Sequence, residues 1–359
     1  MAQATNYFPS QNVSVWIEKE TKVGRSQDDT VDNAGLKKLQ VTSFTIPEAS
    51  FPVEYSSPRS GQFVTTATQG HHAQGTKVWT FDTTLRGTPN SVLFATEGVF
   101  EDASSEAALN NDYSFPTASY QHDSTSSPGT FNIRFIDAGA DATKHNIVCR
   151  GCVATGFTLS EDIGSEGGEL VCTINWATAY TPDNASAQAD DDITSAEYDT
   201  GTPKNIRALA SGSTGINGGA LEELVIQSWE LSVTRSIERI SYMDTTDGGY
   251  EPFGYAMVGP FEVTGSMTVI RNDDVHDLLA KFYDSNTVDI NIQESSNFAV
   301  ALDKCLLNEP TIDNGGAVLT ETIPFTVVGA DDVSSATKML GITICLLYTS
   351  DAADDLLCV

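Results

Sequence analysis

Apolar and polar residues alternate with a period of two along much of this chain, the mark of half-buried β-strands. Leu39 to Ile46 (LQVTSFTI) alternates in this way, which places Leu39, Val41 and Ser43 on one face. Val78 to Leu85 (VWTFDTTL) is a second run of β-branched and aromatic residues, and Gly87 follows it. Thr88-Pro89 then offers a helix N-cap with proline in the first turn. A short helix is predicted there, carrying Val92, Leu93 and Phe94 and stopping near Gly98. Glu101 to Gly129 is rich in Ser, Asn and Asp and reads as a loop or insertion. Strands resume at Phe131–Phe135, Asn146–Leu159 and Leu170–Trp176.

The second half repeats this order. Leu224 to Ile237 is a strand whose Trp229, Leu231 and Val233 share a face, and Phe261 to Ile270 alternates again. Asn272-Asp273-Asp274 caps a helix with Val275, Leu278, Leu279 and Phe282 at the spacing of a core-facing stripe. Strands follow at Val288–Ile292, Phe298–Leu307 and Ala317–Val328. The closing strand pairs correspond as well. Gly151-Cys152-Val153 leads to a turn with Gly164, Gly167 and Gly168, and Lys304-Cys305-Leu306 leads to Asn314-Gly315-Gly316. A period of about 190 residues is a domain duplication, too long for a solenoid repeat.

The expected organisation is therefore mainly β: residues 1–180 form a first β domain, 181–219 an acidic, Gly/Ser-rich linker, 220–330 a second β domain, and 331–359 a C-terminal tail. Each domain carries one short flanking α-helix. The linker contains Asp190-Asp191-Asp192 and almost no large apolar residues, the composition of solvated chain. The last stretch, 345–359 (CLLYTSDAADDLLCV), resembles translated sequencing-adapter read-through, so Cys345 and Cys358 carry no functional weight.

Charge narrows the function. Forty-nine acidic residues against nineteen basic ones give a formal charge of −30. Proteins that bind nucleic acid replace condensed counterions with Lys and Arg, and this chain has few to offer. A strongly acidic surface repels DNA instead. No apolar run is long enough to predict a membrane-spanning helix, and Met1 to Asn6 has no signal-peptide pattern, which implies synthesis in a cytoplasm.

Candidate chemistry is sparse. Cys149 and Cys152 make one CxxC without a second pair at zinc-ribbon spacing, and residues three apart on a strand face opposite sides. Structural, reduced cysteines are the expectation. His71-His72 lies in a Gly/Gln/Thr stretch and His276 on the predicted second helix beside its acidic cap. No HExxH, GxSxG or GxxxxGK[ST] string occurs. Carboxylate pairs abound only because the chain is acidic, so acid/base hydrolysis has no specific support. No catalytic, cofactor or metal residues are assigned.

Three segments carry a family resemblance. Thr155 to Ser160 (TGFTLS) followed by Gly167 to Val171 (GGELV) resembles the strand-turn-strand that closes the first half of the tail tube (major tail) proteins of long-tailed phages. Gln227 to Val233 (QSWELSV) resembles the strand that opens their second half, and Phe261 to Ser266 (FEVTGS) the strand preceding their helix. The similarity spans Leu39 to Val328.

The resemblance implies tandem β-sandwich or small-barrel domains with a flanking helix, assembled into stacked rings that form a DNA-conducting tube. It implies a virion protein whose partners are further copies of itself and other tail proteins, namely tape measure, tail tip and terminator. DNA passes without specific binding, and no membrane or cofactor is involved. A duplicated chain implies a pseudo-hexameric ring of three copies, with six copies as the alternative. In the family, sheets from adjacent subunits join to line the lumen, and Asp82, Glu230, Glu262 and Asp289 are the candidates to face it. The two long loops, Pro47 to Gly75 and Ser241 to Pro260, supply candidate interface aromatics: Phe51, Tyr55 and Phe63 in one, Tyr242, Tyr250, Phe253 and Tyr255 in the other. Two other classes compete. A phage or cell-surface β-sandwich adhesin predicts a ligand groove, and a β-rich hydrolase predicts a pocket with converging titratable groups.

Overall fold

The structure is a computed structural model, and it describes residues 13–20, 22–24, 37–47, 53–55, 70–72, 78–100, 106–110, 119–121, 130–137, 147–164, 168–184, 196–197, 205–209, 215–217, 224–240, 254–272, 275, 287–294, 298–328 and 338–344. Its principal strands are β1 (Val13–Lys19), β2 (Val41–Phe44), β3 (Trp79–Arg86), β4 (Phe131–Asp137), β5 (Ile147–Asp162) and β6 (Val171–Thr178) in the first half. The second half holds β7 (Ile226–Ile240), β8 (Gly254–Ile270), β9 (Val288–Glu294), β10 (Phe298–Leu307), β11 (Thr311–Asp313), β12 (Thr320–Val327) and β13 (Lys338–Ile344). Helix α1 (Pro89–Phe100) follows β3.

The protein is mainly β, as the alternation predicts. Apart from one separate two-stranded sheet, its strands join into one large sheet that is almost wholly antiparallel. In the first half the ladder runs β2-β3-β6-β5-β4. In the second it runs β7-β8-β12-β10-β9. The two ladders are joined edge to edge where β5 pairs with β7, from Gly156 opposite Thr234 to Asp162 opposite Ser228. This seam is tight at one point: a Cβ on Gly156 would lie 2.4 Å from the Val233 carbonyl oxygen. Glycine is required there because the neighbouring backbone occupies the space of a side chain.

Strand β5 is long because it serves two layers. Its first part, Ile147 to Cys152, pairs with β4, which in turn pairs with β1. Its second part pairs with β6 and β7. The change falls at Gly151, whose φ of +55° is a conformation that favours glycine. Layer β1–β4 thereby folds over the main sheet. Val15, Ile17, Ile133 and Phe135 enter the same core as Phe157, Ile174, Leu231 and Val300. Helix α1 closes one side, where Phe94, Phe131 and Trp176 meet with ring centroids 5.3 to 5.7 Å apart. The cap is the one expected, made reciprocal by Ser91: Thr88 Oγ1 accepts from Ser91 N–H at 3.2 Å, and Ser91 Oγ accepts from Thr88 N–H at 2.9 Å. The helix runs on past Gly98 to Phe100.

Local geometry recurs with the strand order. Ladder β2–β3 slips between Val41 and Ser43 opposite Leu85 and Thr84, and β7–β8 slips between Ile226 and Ser228 opposite Val269 and Thr268. Asn272 Oδ1 accepts from Val275 N–H at 3.1 Å, as Thr88 does for Ser91. Cys149 and Cys152 face Ile133 and Phe131; Leu302 and Cys305 face Ile290 and Val288. The turns that follow are similar but offset by two residues: Gly164 N–H bonds Asp162 Oδ1 at 2.7 Å and Gly315 N–H bonds Asp313 Oδ1 at 2.8 Å, while Asp313 matches Ser160 in the ladders.

Four sequence expectations need correction or completion. The slip at Val41 breaks the alternation, so Ser43 is exposed while Phe44 turns inward and packs on Phe135 with centroids 5.6 Å apart. Cys149 and Cys152 do not face opposite sides. The left-handed Gly151 inserts a bulge, so both are buried in one core and Cys152 Sγ lies 3.3 Å from the Cys149 carbonyl. Within the expected linker, Ile206 and Ala208 are buried, and Ile206 bridges the backbones of Gly87 and Leu170. The Glu101 to Gly129 segment contains strands Glu106–Asn110 and Ser119–Gln121, which pair with β13 and β8. Most of the expected second helix and residues 345–359 lie outside the described residues.

Candidate assembly surfaces

The main sheet has one buried face and one polar face. Along the strands most inward positions are apolar, with Thr83, Glu161, Arg235 and Glu321 as buried polar exceptions, and the outward ones are chiefly Thr and Ser, because each Cβ alternates sides. The outward hydroxyls pair across strands: Thr84 with Thr173 at 3.2 Å, Thr158 with Ser232 at 3.5 Å and Thr268 with Thr322 at 3.1 Å. Such cross-strand pairs stabilise a sheet by up to about 1 kcal/mol each.

Three of the four expected acidic positions meet on this face. Asp82, Asn175, Gly156, Thr234 and Glu262 stand directly opposite one another in one row across five strands. Glu230 lies on the same face, four residues before Thr234. Asp82 is not wholly free, since Thr45 Oγ1 donates to its Oδ1 at 2.7 Å. Asp289 is separated from the row. It lies on β9, where its Oδ1 accepts from Lys304 N–H at 3.1 Å. A shallow groove of about 410 Å³ lies on this face between Thr45, Thr80, Asp82, Thr155, Asn175 and Thr234.

The two joined ladders end in two margins that are open among the described residues. Among the described residues β2 pairs only with β3, and β11 only with β12. Unpaired strand edges are templates for pairing with another chain. Six large apolar side chains are exposed among the described residues, and Ile46 (39%) and Ile312 (51%) lie at these margins. The other four, Ile163, Val225, Val318 and Leu319, lie together at one end of the sheet. Ile163 N–H bonds the Gln227 carbonyl, Ile270 N–H the Val225 carbonyl and Arg271 N–H the Leu319 carbonyl, which sets neighbouring strand ends side by side. The sequence reading missed both groups, although an isoleucine between Asp162 and Gly164 in a turn, and Val318-Leu319 after Gly315-Gly316, are visible signals.

Of the expected interface aromatics, Tyr255 is fully buried in its own chain, beside Tyr180, and not at the surface. Its hydroxyl accepts from Ala179 N–H at 2.8 Å, and burial raises its pKa above the ordinary phenol value. Tyr55 ends strand Val53–Tyr55, which pairs with Gly70–His72 as a two-stranded sheet of its own. Phe51, Phe63, Tyr242, Tyr250 and Phe253 lie outside the described residues.

Deeper polar groups serve the fold. Glu20 is buried; its Oε1 accepts from Gly151 N–H at 2.7 Å, and its Oε2 accepts from Gly24 N–H and Thr130 Oγ1, each at 2.8 Å. Burial raises its pKa against the opposing pull of these bonds. Glu161, also raised by burial, takes Trp229 Nε1–H and Leu209 N–H, both at 3.0 Å, and so ties β5, β7 and the 205–209 segment together. Buried Arg235 on β7 donates to the carbonyls of Ala154 at 2.9 Å and Gly98 at 3.3 Å, crossing the seam to the last turn of α1. No group of three or more His, Cys, Asp and Glu side chains suited to a metal ion occurs among the described residues.

One core under a continuous sheet, a hydroxyl-lined outer face and open apolar margins define a structural, self-associating β-protein. The model of the phage tail tube protein family matches residues 42–327. The chain belongs to the phage tail tube protein family and is a structural subunit of a phage tail tube. No curated protein sequence matches it. Among solved structures, "Tail of empty GTA particle computed with helical refinement, C6 symmetry" aligns with 36% of this chain and 85% of its own, at 9% identity and a TM-score of 0.22. That score is too low for the two folds to be equated.

Proposed function

We propose that this subunit is a duplicated tube domain, residues 1–180 and 220–330 joined by 181–219, of which three copies close a pseudo-hexameric ring. Rings stack into the tube that conducts DNA in the virion, after synthesis in the host bacterial cytoplasm. The observation that carries this reading is the repeated ladder: β2-β3-β6-β5-β4 and β7-β8-β12-β10-β9 share strand order, slip positions, the side-chain-to-backbone bond three residues on at Thr88 and Asn272, and the cysteine-bearing bend. Heterologous contacts between unlike patches generate rings, and strand margins supply such patches.

The outward Thr/Ser face with Asp82, Glu230 and Glu262 lines the lumen. Hydroxyls and carboxylates offer DNA no counterion-release gain, so it slides. Asp289, beyond the bend, faces the lumen margin. Axial contacts come from the loops holding Phe51, Tyr55, Phe63, Tyr242, Tyr250 and Phe253. The separate hairpin at Tyr55 supports a projecting element there. Tape measure, tail tip and terminator proteins bind the tube ends, and the subunit itself catalyses no reaction.

Negative-stain electron microscopy of the purified full-length chain, at low and high concentration, tests the reading. Rings or tubes with a central channel and three matching sectors in top view are expected. Six equal copies per ring would overturn the duplication. Monomers at every concentration would favour an adhesin-like module.

A further inference from the structure

Among the described residues, the internal seam has an unpaired counterpart at the β2 and β11 margins. The position-by-position correspondence comes from the ladders. Ser160 stands opposite Val171 as Asp313 stands opposite Thr320, so Leu159 corresponds to Ile312. On the other flank, Phe44 stands opposite Thr83 as Trp229 stands opposite Met267, so two residues further on Ile46 corresponds to Leu231. Leu159 and Leu231 face each other across the β5–β7 seam and are both fully buried. Ile312 and Ile46 are 51% and 39% exposed.

We infer that β11 of one copy pairs antiparallel with the β2 margin of the next, with Ile312 opposite Ile46, repeating between chains the seam that β5 and β7 make within one. The occupant of each margin is therefore a second copy of this chain. The inference rests on the ring reading above and gives it a register: Asp313 opposite Thr45, and Thr311 opposite Pro47, matching Ser160 opposite Glu230 and Thr158 opposite Ser232.

Three observations favour this occupant. Both margins belong to the same ladder order, so each has in the chain itself an example of what covers it. The contact is heterologous, since β2 and β11 lie on opposite flanks of the sheet, and so it propagates around a ring without pairing like with like. Placing two half-exposed isoleucines in contact removes apolar surface from water at roughly 25 cal/mol per Å², while the backbone groups of both margins gain partners.

The test is a cysteine pair, Ile46→Cys with Ile312→Cys, in the full chain with Cys345→Ser and Cys358→Ser, oxidised after assembly. Directly opposed strand residues have Cβ atoms about 4.5–5.5 Å apart, near the distance a disulfide spans. Non-reducing electrophoresis is expected to show a covalent ladder ending at trimer, absent from either single-cysteine variant. A single Ile46→Asp or Ile312→Asp change should abolish rings while leaving the circular dichroism spectrum and melting temperature near those of the parent. Rings that form with no inter-chain disulfide would overturn the seam and leave the ring reading standing. A parent chain that stays monomeric at every concentration would overturn both.

Discussion

Gly151 and Lys304 hold the same left-handed backbone conformation, with φ of +55° and +56°, and each precedes a buried cysteine. Each also donates its N–H to a carboxylate, Gly151 to Glu20 at 2.7 Å and Lys304 to Asp289 at 3.1 Å. In both halves a strand changes partners at this bend. Backbone geometry is thus kept where the side chain is not, because the bend is needed and only one position has no room for a Cβ.

Gly151→Ala should be strongly destabilising. A Cβ there would lie 2.4 Å from Tyr180 Cε2 in a packed cluster, and alanine resists positive φ. Overpacking and strain together predict a loss of about 2–4 kcal/mol, read as a lower urea midpoint.

Lys304→Gly should be neutral to mildly stabilising. Relief of the left-handed penalty is worth about 1–2 kcal/mol, and the added freedom of the unfolded chain takes back about 0.5–1. Thermal melts showing a clear decrease would mean that the lysine side chain, not its backbone, matters.

Glu20 predicts a pH signature. Its folded-state pKa is raised by burial, so the proton-linked stability is fully present below the unfolded carboxyl value and is lost as pH rises through the folded one. Urea unfolding from about pH 4 upward should show wild type losing stability relative to Glu20→Gln across that window. A constant difference between the two proteins would sink the assignment.

Arg235→Met should loosen the join between the halves. The buried guanidinium bonds the carbonyls of Ala154 and Gly98, and charged hydrogen bonds contribute about 1.5–3 kcal/mol each. The expected outcome is a loss of about 2–4 kcal/mol and faster amide exchange in β5 and β7 than in β8. Unchanged exchange at the seam would argue that β5–β7 pairing alone holds the halves.

Much of this was legible in the chain. Phe298–Leu307 was bounded correctly, and Trp229, Leu231 and Val233 do share the buried face, because period-two patterning survives wherever one side of a sheet is dry. The Thr88 cap was legible for the same local reason. The slip at Val41 was not, since a bulge shifts the alternation without changing composition. Strand β1 was missed: its run of Val15, Trp16 and Ile17 is short, and it is stabilised by pairing with β4 more than 100 residues away. Asp82, Glu230, Glu262 and Asp289 were candidates only because they lie on strands; which face each takes was not legible, since it depends on the register of the neighbouring strands. The isoleucine margins were not legible either, because exposure of an apolar strand residue depends on which strand lies next to it.

In the ring proposed above, a duplicated chain adds only in pairs of repeats. Circumference then changes in coarse steps, and a ring with one subunit too many or too few errs by two repeats at once. There the hydrogen-bonded seam between β5 and β7, made within one chain, frees half of all ring contacts from dependence on concentration. With the inferred seam, sequence change can tune the margins at Ile46 and Ile312 without disturbing Leu159 and Leu231, so assembly strength and subunit stability drift independently.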